Sequence, residues 1–268
     1  MTGSQAARIV RAVLCPEIAV RHIIKRLSIG SLEFRLALNA LDKPEYAYGV
    51  QQAIYLASRL NHRRVSVIEF GVGRGRGLKC LEKYAIEMGK AAGIAVDVYG
   101  FDMGTGLTCP TDYRDLKYLW REGAFAMDIK RLQSELRVAQ LILSNVRETI
   151  PAVVRALSAP IGFISFDLDY YTSTRAAFQV FDAPDEMLLP RVPCYFDDVV
   201  SDGETLHCDQ IGELLAIGEF NQRADHHKIA PAHLLHANAN MLFDVPWAQQ
   251  FWAYHRFQHF EYNTYIGV

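Results

Sequence analysis

Val65-Ser-Val-Ile-Glu-Phe-Gly-Val-Gly-Arg-Gly-Arg-Gly77 decides more of the architecture than any other stretch of these 268 residues. Its β-branched apolar run, 65–68, reads as a strand, and Glu69 and Phe70 lead from it into a loop with glycine at every second position. Residues 78–88 then have helical character. Strand, glycine turn and helix in that order bring a nucleotide-like ligand to the top of the first strand of an α/β domain. Glycine matters because the backbone must turn sharply, often at positive φ, and approach the ligand with no Cβ in the way. The next strand candidate, 96–101, ends beside Asp102, whose carboxylate can accept hydrogen bonds from ribose hydroxyls.

Outward from this loop, strand candidates at 65–70, 96–101, 139–143, 161–166 and 192–196 alternate with helix candidates at 78–92, 126–137, 147–157, 173–181 and 209–223. Such alternation implies a parallel sheet with helices on both faces. Residues 229–236 and 250–257 read as two further strands with no clear helix between them, an antiparallel pair closing one edge. Upstream, 6–27 is amphipathic and 43–60 has apolar residues at helical spacing, with Pro44 well placed in its first turn. The expected fold is α/β and Rossmann-like. It has a mostly parallel seven-stranded sheet, an antiparallel C-terminal edge hairpin and N-terminal helices. The expected division is a helical extension over 1–64 and a ligand-binding domain over 65–268.

Half of the residues are apolar, enough for a sizeable core, and the net charge is −2. That balance gives no general affinity for nucleic acid or for anionic membrane, and no apolar run reaches membrane-spanning length. The five cysteines are widely spaced, without a CxxC pair. Reduced thiols in a cytoplasmic protein explain them better than disulfides or zinc. Seven histidines in the C-terminal third, among them His207, His255 and His259, read first as surface or packing residues.

The glycine spacing narrows the ligand. A dinucleotide loop, G-x-G-x-x-G, counted from Gly71 would need its third glycine at Arg76; counted from Gly73 it would need one at Leu78. Both registers fail. Glu69-Phe-Gly71-Val-Gly73 instead resembles the first motif of class I S-adenosylmethionine-dependent methyltransferases. In that resemblance the loop packs against the methionine part of the ligand and the acidic residue supports it. Arg74 and Arg76 read as solvated loop charges or as partners of a ligand carboxylate.

The second half of the chain holds two groups of carboxylates. Ile161-Gly-Phe-Ile-Ser-Phe-Asp167-Leu-Asp169 is a strand ending in alternating acids, on one side of the chain if the strand continues. Val192-Pro-Cys-Tyr-Phe-Asp197-Asp198 is another strand ending in an acidic pair. In a parallel sheet both groups lie at the carboxyl edge, where ligands bind. Clustered carboxylates repel one another unless a cation or a shared proton compensates, and hard oxygen donors favour Mg²⁺ over zinc. The alternative is that each pair caps a helix, for which Asp167 and Asp198 are the candidates.

Asp167-Leu-Asp-Tyr-Tyr-Thr-Ser-Thr174, with Leu189-Pro-Arg191 and Asp197-Asp198, resembles the macrocin-type, metal-dependent O-methyltransferases. Tyr99-Gly-Phe-Asp-Met-Gly-Thr-Gly-Leu107 is similar to that family's second motif, and Val146-Arg-Glu-Thr-Ile150 to the segment before its fourth strand. The resemblance covers roughly 65–200. It departs from the family at the sequence before the fifth strand, Leu188-Leu-Pro-Arg-Val192, and at Val199. It implies a methyltransferase version of the Rossmann-like fold and methylation of a hydroxyl on a sugar or small natural product. It further implies Asp167, Asp197 and Asp198 as holders of Mg²⁺ or a similar divalent cation, and Asp169 as general base. Glu69, Gly71, Gly73, Asp102 and Asn145 form the expected S-adenosylmethionine-binding set. The expected partner is a small-molecule acceptor such as a sugar or glycosylated metabolite, and the amphipathic N-terminal helices leave room for a homo-oligomer. Two other readings remain: a Rossmann-like nucleotide-dependent oxidoreductase, against which the failed glycine register counts, and a non-catalytic binding module on the same fold.

Overall fold

The computed structural model describes residues 16–201, 205–233 and 245–267. The first strand, β1 (Arg64–Phe70), is buried from Val65 onward, and β4 (Ile161–Phe166) is buried throughout. Covered on both faces, they need continuous apolar sequence rather than alternation. Gly75, at φ +82, turns the chain from the loop into α4 (Arg76–Ala92). Gly93, at φ +67, ends that helix, and β2 (Ala95–Asp102) follows. The alternation continues with α5 (Ile129–Glu135), β3 (Gln140–Leu143), α6 (Val146–Ala156), β4, α7 (Tyr171–Ala177), β5 (Arg191–Phe196) and α8 (Gly212–Arg223). Two strands complete the chain, β6 (His227–Pro231) and β7 (Phe251–Arg256). Among the described residues, three helices precede β1: α1 (Pro16–Leu27), α2 (Leu32–Ala37) and α3 (Pro44–Arg59).

The seven strands are ordered β3-β2-β1-β4-β5-β7-β6. β1 runs parallel to β2 and β4, β2 to β3, and β4 to β5. β7 is antiparallel to both β5 and β6, so the expected antiparallel edge is present. Its two strands do not follow β5 across the sheet in chain order; the last strand, β7, inserts between β5 and β6. The sequence-predicted helix at 173–181 is shorter, because α7 gives way to a 3-10 turn over Phe178–Asp182. Residues 6–15 of the first predicted helix and 234–236 of the predicted sixth strand lie outside the described residues.

In-register pairing aligns the carboxyl ends of four strands. Phe70 lies opposite Phe101 and Phe166, and Phe166 opposite Phe196. Their rings form a continuous row: Phe70–Phe101 at 5.0 Å, Phe70–Phe166 at 5.5 Å and Phe166–Phe196 at 4.7 Å, the last two stacked. Each ring directly precedes a residue named above: Asp102, Gly71, Asp167 or Asp197. The sequence order reverses between β1 and β4, which is where open α/β sheets bind ligands.

The opposite face is covered by α3, whose Tyr46, Ala47, Val50 and Ala53 are fully buried. Gly49 permits this contact: a Cβ there would meet the ring of Phe163 at 2.3 Å. That ring is also stacked on Phe251, which limits its freedom to yield. On α1, by contrast, Val20, Ile23 and Leu27 remain exposed. Among the described residues no helix is long and apolar enough to cross a membrane, and Cys80, Cys109, Cys194 and Cys208 are unpaired. We expect Gly49→Val to destabilise the protein by about 2 kcal/mol or more through overpacking. Denaturant titration checks this, and an unchanged midpoint would mean that α3 does not sit on Phe163.

Candidate active site

Beyond the phenylalanine row the strand ends open into one cavity of about 740 Å³, lined by Glu69, Gly71, Asp102, Asn145, Asp167 and Asp198 among others. All nine residues expected from the sequence to serve the site line it: Glu69, Gly71, Gly73, Asp102, Asn145, Asp167, Asp169, Asp197 and Asp198.

At Gly71, φ is +87 and a Cβ would lie 1.7 Å from the carbonyl oxygen of Asp167. Only glycine lets the loop after β1 run this close to the turn after β4. The two turns are tied to their neighbours by backbone bonds: Gly71 N–H donates to Phe101 O and Asp167 N–H to Phe70 O, both at 2.9 Å. Asp102 braces the loop from the other side. Its Oδ2 accepts from Gly73 N–H at 2.8 Å and its Oδ1 from Gly104 N–H at 2.5 Å. Asn145 caps α6, its side-chain oxygen accepting from Arg147 N–H at 3.1 Å.

Glu69 is 1 % exposed. One oxygen accepts from Tyr46 Oη at 2.7 Å, and that hydroxyl in turn accepts from Ser165 Oγ at 2.8 Å. The other oxygen, Oε2, has no partner among the described residues. A buried acceptor left open is costly, and this one belongs to a side chain that lines the cavity. Burial pushes the Glu69 carboxyl well above the usual carboxylate range, opposed by the Tyr46 hydrogen bond. Gly77 makes the arrangement possible, since a Cβ there would sit 1.8 Å from Glu69 Oε1.

The four aspartates meet, but not along an extended strand. β4 stops at Phe166, and Asp169 stands in the left-handed region at φ +61. This turn brings Asp169 N–H to Asp198 Oδ2 at 3.2 Å. Left-handed backbone outside glycine is sparse, and such strain gathers at functional sites. Helix capping does not account for these acids. The N-cap of α7 is Tyr170, without a side-chain cap bond, and the helix's first turn is served by Asp115, which accepts from Thr172 N–H at 2.9 Å. Asp198 likewise starts no α-helix; it lies in a 3-10 turn over Asp197–Val199.

Burial raises the carboxyls of Asp167, Asp169 and Asp198, and repulsion from neighbouring acids adds to it. Asp198 is pushed up to about 7, by burial first and then by Asp197. Asp169 is pushed up to about 9, by burial and then by Asp198, Asp167 and Asp197. Asp167 is raised too, by burial and Asp197, against the attraction of Lys43. The donor chemistry suits a hard divalent cation. As placed, however, no three His, Cys, Asp or Glu side chains among the described residues converge into an ion cage.

Several contributors carry no motif. Glu213 of α8, fully buried, accepts from Asp198 N–H at 3.0 Å and so holds the acidic turn from below. Tyr195 Oη donates to Asp197 Oδ1 at 2.6 Å. Lys43 reaches in from the N-terminal segment, 3.7 Å from Asp167 and 3.9 Å from Asp197. Trp120 lines the cavity with its indole N–H buried and without a partner among the described residues. Of the C-terminal histidines, His259 and His255 hold structure together: His259 Nε2 lies 2.9 Å from Asp185 O, and His255 Nδ1 2.9 Å from Tyr262 Oη. Arg76 pairs with Asp42 at 3.3 Å, and both Arg74 and Arg76 line the cavity.

Strand order, glycine loop and ligand crevice together define the fold of class I S-adenosylmethionine-dependent methyltransferases. Two similar solved structures agree. The calicheamicin methyltransferase CalS11 superposes with a TM-score of 0.50 at 18 % identity, over 91 % of this chain and 92 % of its own. The O-methyltransferase NovP superposes with a TM-score of 0.54 at 12 % identity, over 78 % of each chain. No family model and no curated protein matches the sequence.

The raised Asp169 carboxyl gives a signed prediction for the ion-free protein. Because its folded-state pKa stands above its unfolded value, the folded state favours the neutral acid. The associated stability is complete below about pH 4 and is lost as pH rises through about 9. Asn tolerates left-handed backbone, so Asp169→Asn should fold. We expect wild-type stability to fall relative to Asp169→Asn between roughly pH 5 and pH 9, read by denaturation of both proteins at each pH. A constant difference would contradict the raised carboxyl.

Proposed function

We propose that the protein is an S-adenosylmethionine-dependent O-methyltransferase acting on a hydroxyl of a sugar or small natural product, assisted by Mg²⁺ or a similar divalent cation. The observation that carries this reading is one cavity lined both by Glu69, whose Oε2 lacks a partner among the described residues, and by the carboxylates of Asp167, Asp169, Asp197 and Asp198. Donor-binding and proton-accepting groups therefore face a common space. The fold shared with CalS11 and NovP supports the donor assignment.

S-adenosylmethionine, when bound, supplies a methyl group already activated on a sulfonium. The protein's part is then alignment and proton removal. Glu69 Oε2 is free to accept a hydrogen bond from a cationic amino group. Gly71 and Gly73 leave room for the ligand beside the backbone. Asp102 spends one lone pair of each oxygen on the loop and keeps the others for ribose hydroxyls. Asn145 stands at the rim, at the start of α6. A divalent cation, when held by Asp167, Asp197 and Asp198, would lower the pKa of the acceptor hydroxyl. Asp169 is the proton acceptor: it is 8 % exposed and its N–H donates to Asp198 Oδ2 beside it. In the ion-free protein burial and its acidic neighbours keep this carboxyl neutral; a cation on those neighbours would offset the repulsion and favour the ionised base. Glu213 keeps the Asp197–Asp198 turn in place beneath it.

Two measurements test the proposal. S-adenosylhomocysteine should raise the melting temperature, by an amount corresponding to about 2.7 kcal/mol at a hundredfold excess over its Kd, while NAD leaves it unchanged. No shift with S-adenosylhomocysteine would sink the reading. With a polyhydroxylated acceptor panel and labelled donor, Asp169→Asn should lower kcat by about 10²–10⁴ and leave S-adenosylhomocysteine binding intact. Near-normal turnover in Asp169→Asn beside an inactive Asp197→Asn would reassign the base and keep the cation's role.

A further inference from the structure

Lys43 directly precedes Pro44, a position that disfavours helical backbone, yet it stands at φ 45, ψ 59 at the start of α3. This conformation aims its side chain into the cavity, which it lines. Its ammonium nitrogen lies 3.7 Å from Asp167 Oδ2, 3.9 Å from Asp197 Oδ1 and 3.9 Å from Glu45 Oε1. The rings of Tyr46 and Tyr195 flank it at 5.1 and 5.9 Å. These separations are those of a counter-ion held by charge between two acids and two aromatic faces. Asp167 and Asp197 are also two of the three residues assigned to the divalent cation. An ammonium and a divalent cation cannot share that position without strong repulsion.

We propose that Lys43 is the built-in counter-ion of Asp167 and Asp197, and that a divalent cation enters by displacing its ammonium toward Glu45. The inference rests on the reading of these aspartates as a cation site. It explains why the carboxylates sit at adjacent strand ends without forming a ready cage: an ammonium holds them in place of an ion. It also sets the order of events. The displacement weakens binding of the bare cation, so the cation settles most firmly when the acceptor's hydroxyls add their own oxygen donors. Glu45, 6 % exposed and 3.9 Å from the ammonium, gives the displaced charge a partner.

Mn²⁺ is the probe, with the full-length protein and Mn²⁺ uptake followed by electron paramagnetic resonance in the absence of acceptor. Lys43→Met, which keeps the length and removes the charge, should bind Mn²⁺ about tenfold more tightly or better than wild type. Lys43→Arg should stay close to wild type. Equal or weaker Mn²⁺ binding by Lys43→Met, in protein that still shows a thermal shift with S-adenosylhomocysteine, overturns the displacement and leaves the cation site standing. Absence of Mn²⁺ uptake by both wild type and Lys43→Met overturns the cation site itself, and the displacement with it. A second reading needs no variant: in wild-type protein, reductive methylation followed by mass spectrometry should label Lys43 faster when Mn²⁺ is present. An unchanged labelling rate overturns the proposal even if Lys43→Met does not fold.

Discussion

The row of phenylalanines at 101, 70, 166 and 196 is the contact on which the rest depends. In-register parallel pairing places these four rings side by side, and their packing holds four strand ends at one level. The residue after each ring starts the departure from the sheet, so Asp102, Gly71, Asp167 and Asp197 leave it as a set. One position earlier, on the opposite face, Glu69, Ser165 and Tyr195 form a polar row beneath Tyr46. The sheet's pleat therefore separates two jobs that share the same few residues: an apolar floor on one face and a hydrogen-bonded support on the other.

Much of this was legible because the informative residues lie close together in sequence. The glycine loop announces its own geometry, since alternate glycines after a β-branched run have few other uses. The two acidic strand ends were visible for a similar reason: carboxylates following buried apolar runs must lie at an edge. Strand order beyond the alternation was not legible. That the last strand inserts between β5 and β6 follows from pairing partners far apart in the chain, on which local pattern is silent.

What the sequence hid in the site has a common cause. Tyr46 and Glu213 lie on α3 and α8, and Lys43 at the N-cap of α3, where nothing in the local sequence distinguishes them from ordinary residues of an amphipathic helix. Tyr46 reads as one apolar position on an amphipathic helix, and only the sheet beneath it turns its hydroxyl into the partner of Glu69. Asp169 is a different case. Its membership of the site was legible, but the route was not, because extended alternation and a left-handed turn leave the same trace in sequence. Asp102 shows the converse: a residue placed by its ligand-facing chemistry also braces the loop through Gly73 and Gly104.

The bare backbone contact between Gly71 and the Asp167 carbonyl has a consequence for how such a protein can diversify. It fixes the spacing between the two halves of the cavity in main-chain atoms, which no side-chain exchange elsewhere can alter. Variation is thereby channelled into the surrounding segments: the chain before β1 and the stretch between β2 and α5. A lineage could swap one small molecule for another by rebuilding those walls, while the distance across which a group is handed over is inherited unchanged.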